Sequence, residues 1–104
     1  MCRKAIVSST AKDSNGEYVQ MLTIELKNTG SSMFTGPLSF RVNCDMGGGR
    51  FRSAAVNFGN CTIVSFGTPT ISARYNGILA PGGTVKLVLK VRTTEEIQSF
   101  TVTH

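Results

Sequence analysis

Tyr75-Asn76-Gly77-Ile78-Leu79-Ala80-Pro81-Gly82-Gly83-Thr84-Val85 runs directly into Lys86-Leu87-Val88-Leu89-Lys90-Val91-Arg92. Asn-Gly tolerates positive φ and offers one chain reversal. Pro presets φ and Gly follows it, which offers a second turn a few residues later. The residues after the second turn have period two: Val85, Leu87, Leu89 and Val91 alternate with Lys86, Val88, Lys90 and Arg92. That is the signature of a strand with one face in a core and one face mostly wet. Two turns this close together predict that Tyr75 ends a strand and displays its ring outward.

The same period extends in both directions. Leu22, Ile24 and Leu26 alternate with Thr23 and Glu25, and Leu38, Phe40 and Val42 alternate with Ser39, Arg41 and Asn43. Shorter runs at Lys4–Ser8, Arg52–Phe58, Thr62–Phe66, Thr70–Tyr75 and Ser99–Thr103 fit as further strands. Between them lie Asp13-Ser14-Asn15-Gly16, Asn28-Thr29-Gly30-Ser31-Ser32, Met46-Gly47-Gly48-Gly49 and Gly67-Thr68-Pro69, all turn or loop composition. Only Thr93–Gln98 suggests a helical turn, with Thr94 as cap and Glu95 and Glu96 in the first turn. Short strands at regular spacing predict an all-β, two-sheet antiparallel β-sandwich of the immunoglobulin-like or jelly-roll-like kind. At 104 residues the chain fits one domain with one modest core, read here as residues 1–104 of a larger protein.

Composition narrows the function classes. No apolar run is long enough to span a membrane, and Met1-Cys2-Arg3-Lys4 opens no signal peptide. A net charge of +5 favours acidic partners. The cations are spread along the strands, tightest at Arg50/Arg52 and Lys86/Lys90/Arg92, without the basic run or aromatic motif of a nucleic-acid binder. Catalysis needs a nucleophile with a base, a carboxylate pair or a metal. The single histidine is His104, and Asp13, Glu17 and Asp45 lie in or beside loops, so no enzyme and no cofactor is expected. Asp13-Ser14-Asn15-Gly16-Glu17 echoes a calcium loop without its full spacing. Gly47-Gly48-Gly49 lacks the Lys-Ser/Thr ending of a phosphate loop.

Three cysteines leave one unpaired in any scheme. Cys44 and Cys61 flank a segment able to fold back as a hairpin. A bond between them would add about 3 kcal/mol by loop-closure entropy; the alternative is two buried thiols acting as small hydrophobes. Asn60-Cys61-Thr62 matches the N-glycosylation acceptor pattern, with which such a bond would compete.

The order of these pieces resembles the family 2 carbohydrate-binding modules, the bacterial-type cellulose- and chitin-binding domains. Their Val-Thr-Ile-x-Asn-Thr-Gly strand is similar to Leu22-Thr23-Ile24-Glu25-Leu26-Lys27-Asn28-Thr29-Gly30, with a two-residue difference. Their aromatic-Asn-Gly segment ending in Ala-Pro-Gly is similar to Tyr75 through Val85 nearly position for position, and Phe100-Thr101-Val102 suits their closing strand. The plant and slime-mould cellulose-binding modules share this architecture. The resemblance implies a non-catalytic, extracellular module that recognises a polysaccharide, cellulose- or chitin-like, by stacking exposed aromatics on sugar rings. It carries over Tyr75 with Asn76, sets Tyr18 with Gln20 near the first position of the aromatic row, and sets Phe51 and Phe58 near the middle one. The family's row is usually Trp, and this chain has none. Its terminal disulfide would take Cys2, which has no cysteine near the other end to meet. The alternative expectation is a structural or adhesive sandwich domain of a surface protein or assembly, contacting an anionic partner through Lys86, Lys90 and Arg92.

Overall fold

The computed structural model describes residues Met1–His104. Ten strands follow one another: β1 (Cys2–Lys12), β2 (Tyr18–Lys27), β3 (Phe34–Thr35), β4 (Leu38–Asp45), β5 (Phe51–Phe58), β6 (Cys61–Gly67), β7 (Thr70–Tyr75), β8 (Ile78–Leu79), β9 (Thr84–Thr93) and β10 (Ser99–Thr103). One sheet has the order β1-β2-β9-β5 and the other β10-β4-β7-β6, while β3 and β8 form a short ribbon. Every pairing is antiparallel. A single apolar cluster fills the space between the sheets. It takes Leu22, Ile24, Leu26, Leu87, Leu89 and Val91 from the first and Phe40, Val42, Ile71 and Ala73 from the second. The chain is therefore the antiparallel sandwich that the alternation predicts. Of the ten inward positions expected, eight are buried, and Leu38 and Val85 are half-buried and pack against the cluster from its rim.

The edges need little further protection. β1 lies beside β10, and β5 beside β6, so each open edge faces the edge of the other sheet. Bulges break the ladders in β1, β5 and β6, which twists these strands away from further pairing.

Turn chemistry departs from expectation at one place. Gly82 has φ 75° and the Gly83 amide donates to the Ala80 carbonyl at 2.8 Å, so Pro81-Gly82 makes the expected turn. Neither Asn76 nor Gly77 has positive φ. The chain does not reverse there. It kinks toward β8, and the Asn76 amide donates to the Asn60 carbonyl. Gly77 is needed for closeness: a Cβ at that position would collide with Tyr75 Oη and come within 2.6 Å of its Cζ.

The helical turn expected at Thr93–Gln98 does not form. Thr93 ends β9, and its hydroxyl donates to the Glu95 carbonyl at 2.6 Å. Thr94 accepts from the Arg50 amide, and Ile97 is pulled into the core. Tertiary bonds claim the groups a first helical turn would use.

The bridging reach expected for Cys44 and Cys61 is also absent. Cys61 lies opposite Tyr75, and Tyr75 lies opposite Leu38, so Cys61 stands level with the far end of β4. Cys44 is six residues along that strand, about 20 Å away at ~3.3 Å per residue. The intervening segment is no hairpin: β4 and β5 belong to different sheets. All three thiols are free. Burial pushes the Cys44 thiol up to about 12 and raises that of Cys61, against which a backbone hydrogen bond from Arg74 acts. Both behave as small apolar side chains.

Candidate binding faces

The residues expected to line one sugar-binding surface are dispersed. Tyr75 is only 4% exposed. Ile71 and Ala73 point inward on β7, and the same period carries Tyr75 inward too, where its hydroxyl donates to the Ile78 carbonyl at 3.3 Å. The outward display expected of it is corrected: it is a core residue. Asn76 is exposed, but its side-chain amide donates to Thr62 Oγ1 at 2.8 Å.

Gln20 continues the inward series of Leu22, Ile24 and Leu26 and is fully buried. Its amide NH2 donates to Thr10 Oγ1 and the Ile97 carbonyl, both at 3.0 Å, and its Oε1 accepts from the Ile97 amide at 2.8 Å. It is a clamp between β2 and the β9–β10 connection, and no surface for a ligand. Phe51 is buried edge-on against Phe66, ring centroids 6.1 Å apart. Tyr18 is half-buried, with the Lys12 ammonium 5.4 Å from its ring centre.

Phe58 alone of the expected aromatics is free, at 59% exposure. Strict alternation after the inward Ala54 and Val56 would send it into the core. A bulge between Val56 and Phe58 shifts the register by one and sets Phe58 opposite the outward Val88. This row continues across the sheet. Val88 faces Thr23, and Thr23 faces Ile6, so Ile6–Thr23–Val88–Phe58 crosses all four strands on the outer face. Val88 and Thr23 are 9% exposed in the middle, and Ile6 is 41% exposed at the other edge. Thr23 donates to Ser8 Oγ at 2.8 Å, so its hydroxyl is satisfied without a ligand.

Charge surrounds this stripe. Lys86 and Lys90 lie two residues to either side of Val88 on the same face, about 13 Å apart along β9 at ~3.3 Å per residue. Lys4 and Lys86 both face Glu25 across their strand pairs. Glu25 itself pairs with Arg3 at 3.3 Å, Glu17 with Arg52 at 2.7 Å and Asp13 with Arg92 at 3.5 Å. Each of these carboxylates is taken by an arginine, and Lys4, Lys86 and Lys90 form no ion pair. The Asp13 loop is a turn clamp: its Oδ1 accepts from the Asn15 and Glu17 amides, and its Oδ2 faces the Arg92 guanidinium at 3.5 Å.

The asparagine of Asn60-Cys61-Thr62 is exposed in the turn between β5 and β6. No helix is long and apolar enough to cross a membrane. No protein-family model matches the chain, and no curated protein matches it. The likeness to the carbohydrate-binding modules therefore stands on the segments Leu22–Gly30 and Tyr75–Val85 themselves.

Sequence reasoning missed the stripe because Ile6, Val88 and Phe58 are far apart in the chain. The signal that was available is Val88, an apolar residue on the wet side of β9's alternation.

Proposed function

We propose that this domain is a non-catalytic, extracellular binding module for an anionic polysaccharide, held on the outer face of the β1-β2-β9-β5 sheet. The observation that carries the reading is the outward row Ile6–Thr23–Val88–Phe58, exposed at its two apolar ends, with unpaired lysines on both sides of it. A pyranose ring has an apolar face that covers an exposed aromatic, and carboxylate or sulfate groups along the chain meet Lys86, Lys90 and Lys4. Phe58 supplies stacking worth about 0.5–1.5 kcal/mol beyond area, by analogy with aromatic pairs. One ring is too little for flat, neutral cellulose or chitin, and charge takes the place of the missing aromatic row.

The test is retention on immobilised polygalacturonate, with cellulose and chitin as neutral controls, at low and high salt. Binding to the polyanion is expected to fade as salt screens the lysines. Phe58→Ala is expected to weaken it several-fold at both salt concentrations while changing stability by less than about 0.5 kcal/mol. Unchanged retention of the Phe58→Ala protein, or equal binding to cellulose, would refute the reading. In that case a protein partner met by the basic face becomes the better account.

A further inference from the structure

The outer face of the other sheet carries a different constellation. Arg41 on β4 stands opposite Ser72 on β7, and Ser39 opposite Arg74. Their chain neighbours Phe40, Val42, Ala73 and Tyr75 are buried, so these four side chains point away from the core. They form a block with arginines on one diagonal and serines on the other, the diagonal being about 7–8 Å between positions. Neither arginine makes an ion pair or a side-chain hydrogen bond. The contrast with Arg3, Arg52 and Arg92 is plain, since each of those holds a carboxylate. Two unneutralised guanidiniums on one diagonal repel each other, and an anion seated between them removes the repulsion. Guanidinium is also the cation whose forked donors match an oxyanion.

The block borders an open hollow of about 520 Å³ lined by Ser39, Arg41, Val64, Ser72, Thr103 and His104 among others, with Arg74 at its border and outside the lining. Small serines on its floor and the reach of β10, which pairs with β4 only from Asp45 to Arg41 and leaves Ser39 uncovered, account for the space. Three hydroxyls offer hydrogen bonds to sugar hydroxyls. Val64, 59% exposed beside the β6 bulge, offers an apolar contact for a ring.

We infer that this hollow is a second binding site, taking one acidic sugar residue with its oxyanion on Arg41 over the Ser39 and Ser72 hydroxyls, and with Arg74 meeting it from the border of the hollow across the diagonal. The ligand class rests on the reading above; the site does not involve Phe58 or its lysines. The two sites lie on opposite outer faces of the sandwich. One domain therefore grips two polysaccharide segments and cross-links them.

Amide shifts of the full chain, followed by NMR during titration with tri-galacturonate and separately with sodium sulfate, test this. Tri-galacturonate is expected to move Ser39, Ser72 and Thr103 as one set and Val88 and Phe58 as another, and sulfate to move the first set. The double variant Arg41→Gln/Arg74→Gln is expected to weaken the first set's response about tenfold or more and leave the second set as it was. Phe58→Ala is expected to do the reverse. The wild-type domain is expected to make long polygalacturonate turbid, and the double variant to lose that effect. A response confined to Val88 and Phe58, or a first set unchanged by the double variant, overturns the second site. A first set that answers sulfate but not tri-galacturonate overturns its assignment to a sugar acid. A response confined to the first set upholds this site and overturns the Phe58 face instead.

Discussion

Replacing Tyr75 by Ala separates a core residue from a displayed one. Tyr75 is 4% exposed, packs in the central cluster, and donates its hydroxyl to the Ile78 carbonyl at 3.3 Å. Truncating a buried aromatic of this size costs about 3–5 kcal/mol, because the site beneath it collapses only partly. For a domain of this length each kcal/mol lowers Tm by about 4–5 °C, so the expected fall is about 12–25 °C. Tyr75→Phe removes only the long hydroxyl bond and should cost about 0.5–1 kcal/mol, a few degrees. Gly77→Ala forces a methyl against the Tyr75 ring, whose Cζ would be 2.6 Å away. It should be destabilising in the wild-type background and milder beside Tyr75→Leu, where the ring is gone. Thermal unfolding by circular dichroism, with a urea titration to confirm an unchanged slope, measures the wild type and the five variants, Tyr75→Leu alone included. A Tyr75→Ala protein melting within 2–3 °C of wild type, or a Gly77→Ala penalty as large without the ring as with it, would refute the packing argument. An outward Tyr75 would give both results.

Two further outcomes follow from buried polar and thiol groups. Gln20→Leu leaves the Ile97 amide and carbonyl without their partner and should cost about 2–4 kcal/mol, read as a lower urea midpoint together with fast hydrogen exchange at the Ile97 amide. Equal exchange in both proteins would show that Gln20 is no clamp. The Cys44 thiol, raised from 9.0 to about 12 by burial, holds its proton in the folded state at a pH where the unfolded chain has lost it. Its contribution to stability is therefore fully present below about pH 9 and lost as pH rises toward 12. Tm should fall across that window and fall less steeply in Cys44→Ala; parallel curves for the two proteins would contradict the linkage. In the native protein, iodoacetamide should label Cys44 only as fast as the domain unfolds.

What was legible in the sequence followed from the period of two. Leu22, Ile24, Leu26, Phe40, Val42, Leu87, Leu89 and Val91 are identified as interior by alternation alone, because a strand with one buried face admits no other register. Asp13–Gly16 and Pro81-Gly82 are identified as turns because few residues adopt those conformations. The same rule, applied without exception, also predicts that Gln20 and Tyr75 are interior. The flanking turns and the likeness to the binding modules point Tyr75 outward, and the likeness alone does so for Gln20, but both side chains follow the alternation into the core. Where the rule does fail, at Phe58, the cause is a bulge, which no local composition announces.

Tertiary structure alone decided which strands share a sheet, and with that everything at the surface. Cys44 and Cys61 are 17 positions apart in the chain and sit at opposite ends of one sheet, since strand order and not chain distance sets separation. Ile6, Val88 and Phe58 form one row, and Arg41 and Arg74 one diagonal, only because β9 lies between β2 and β5 and β4 beside β7. Local sequence encodes which side of a strand is wet. Which wet sides become neighbours depends on burying all the apolar faces at once, a property of the whole chain.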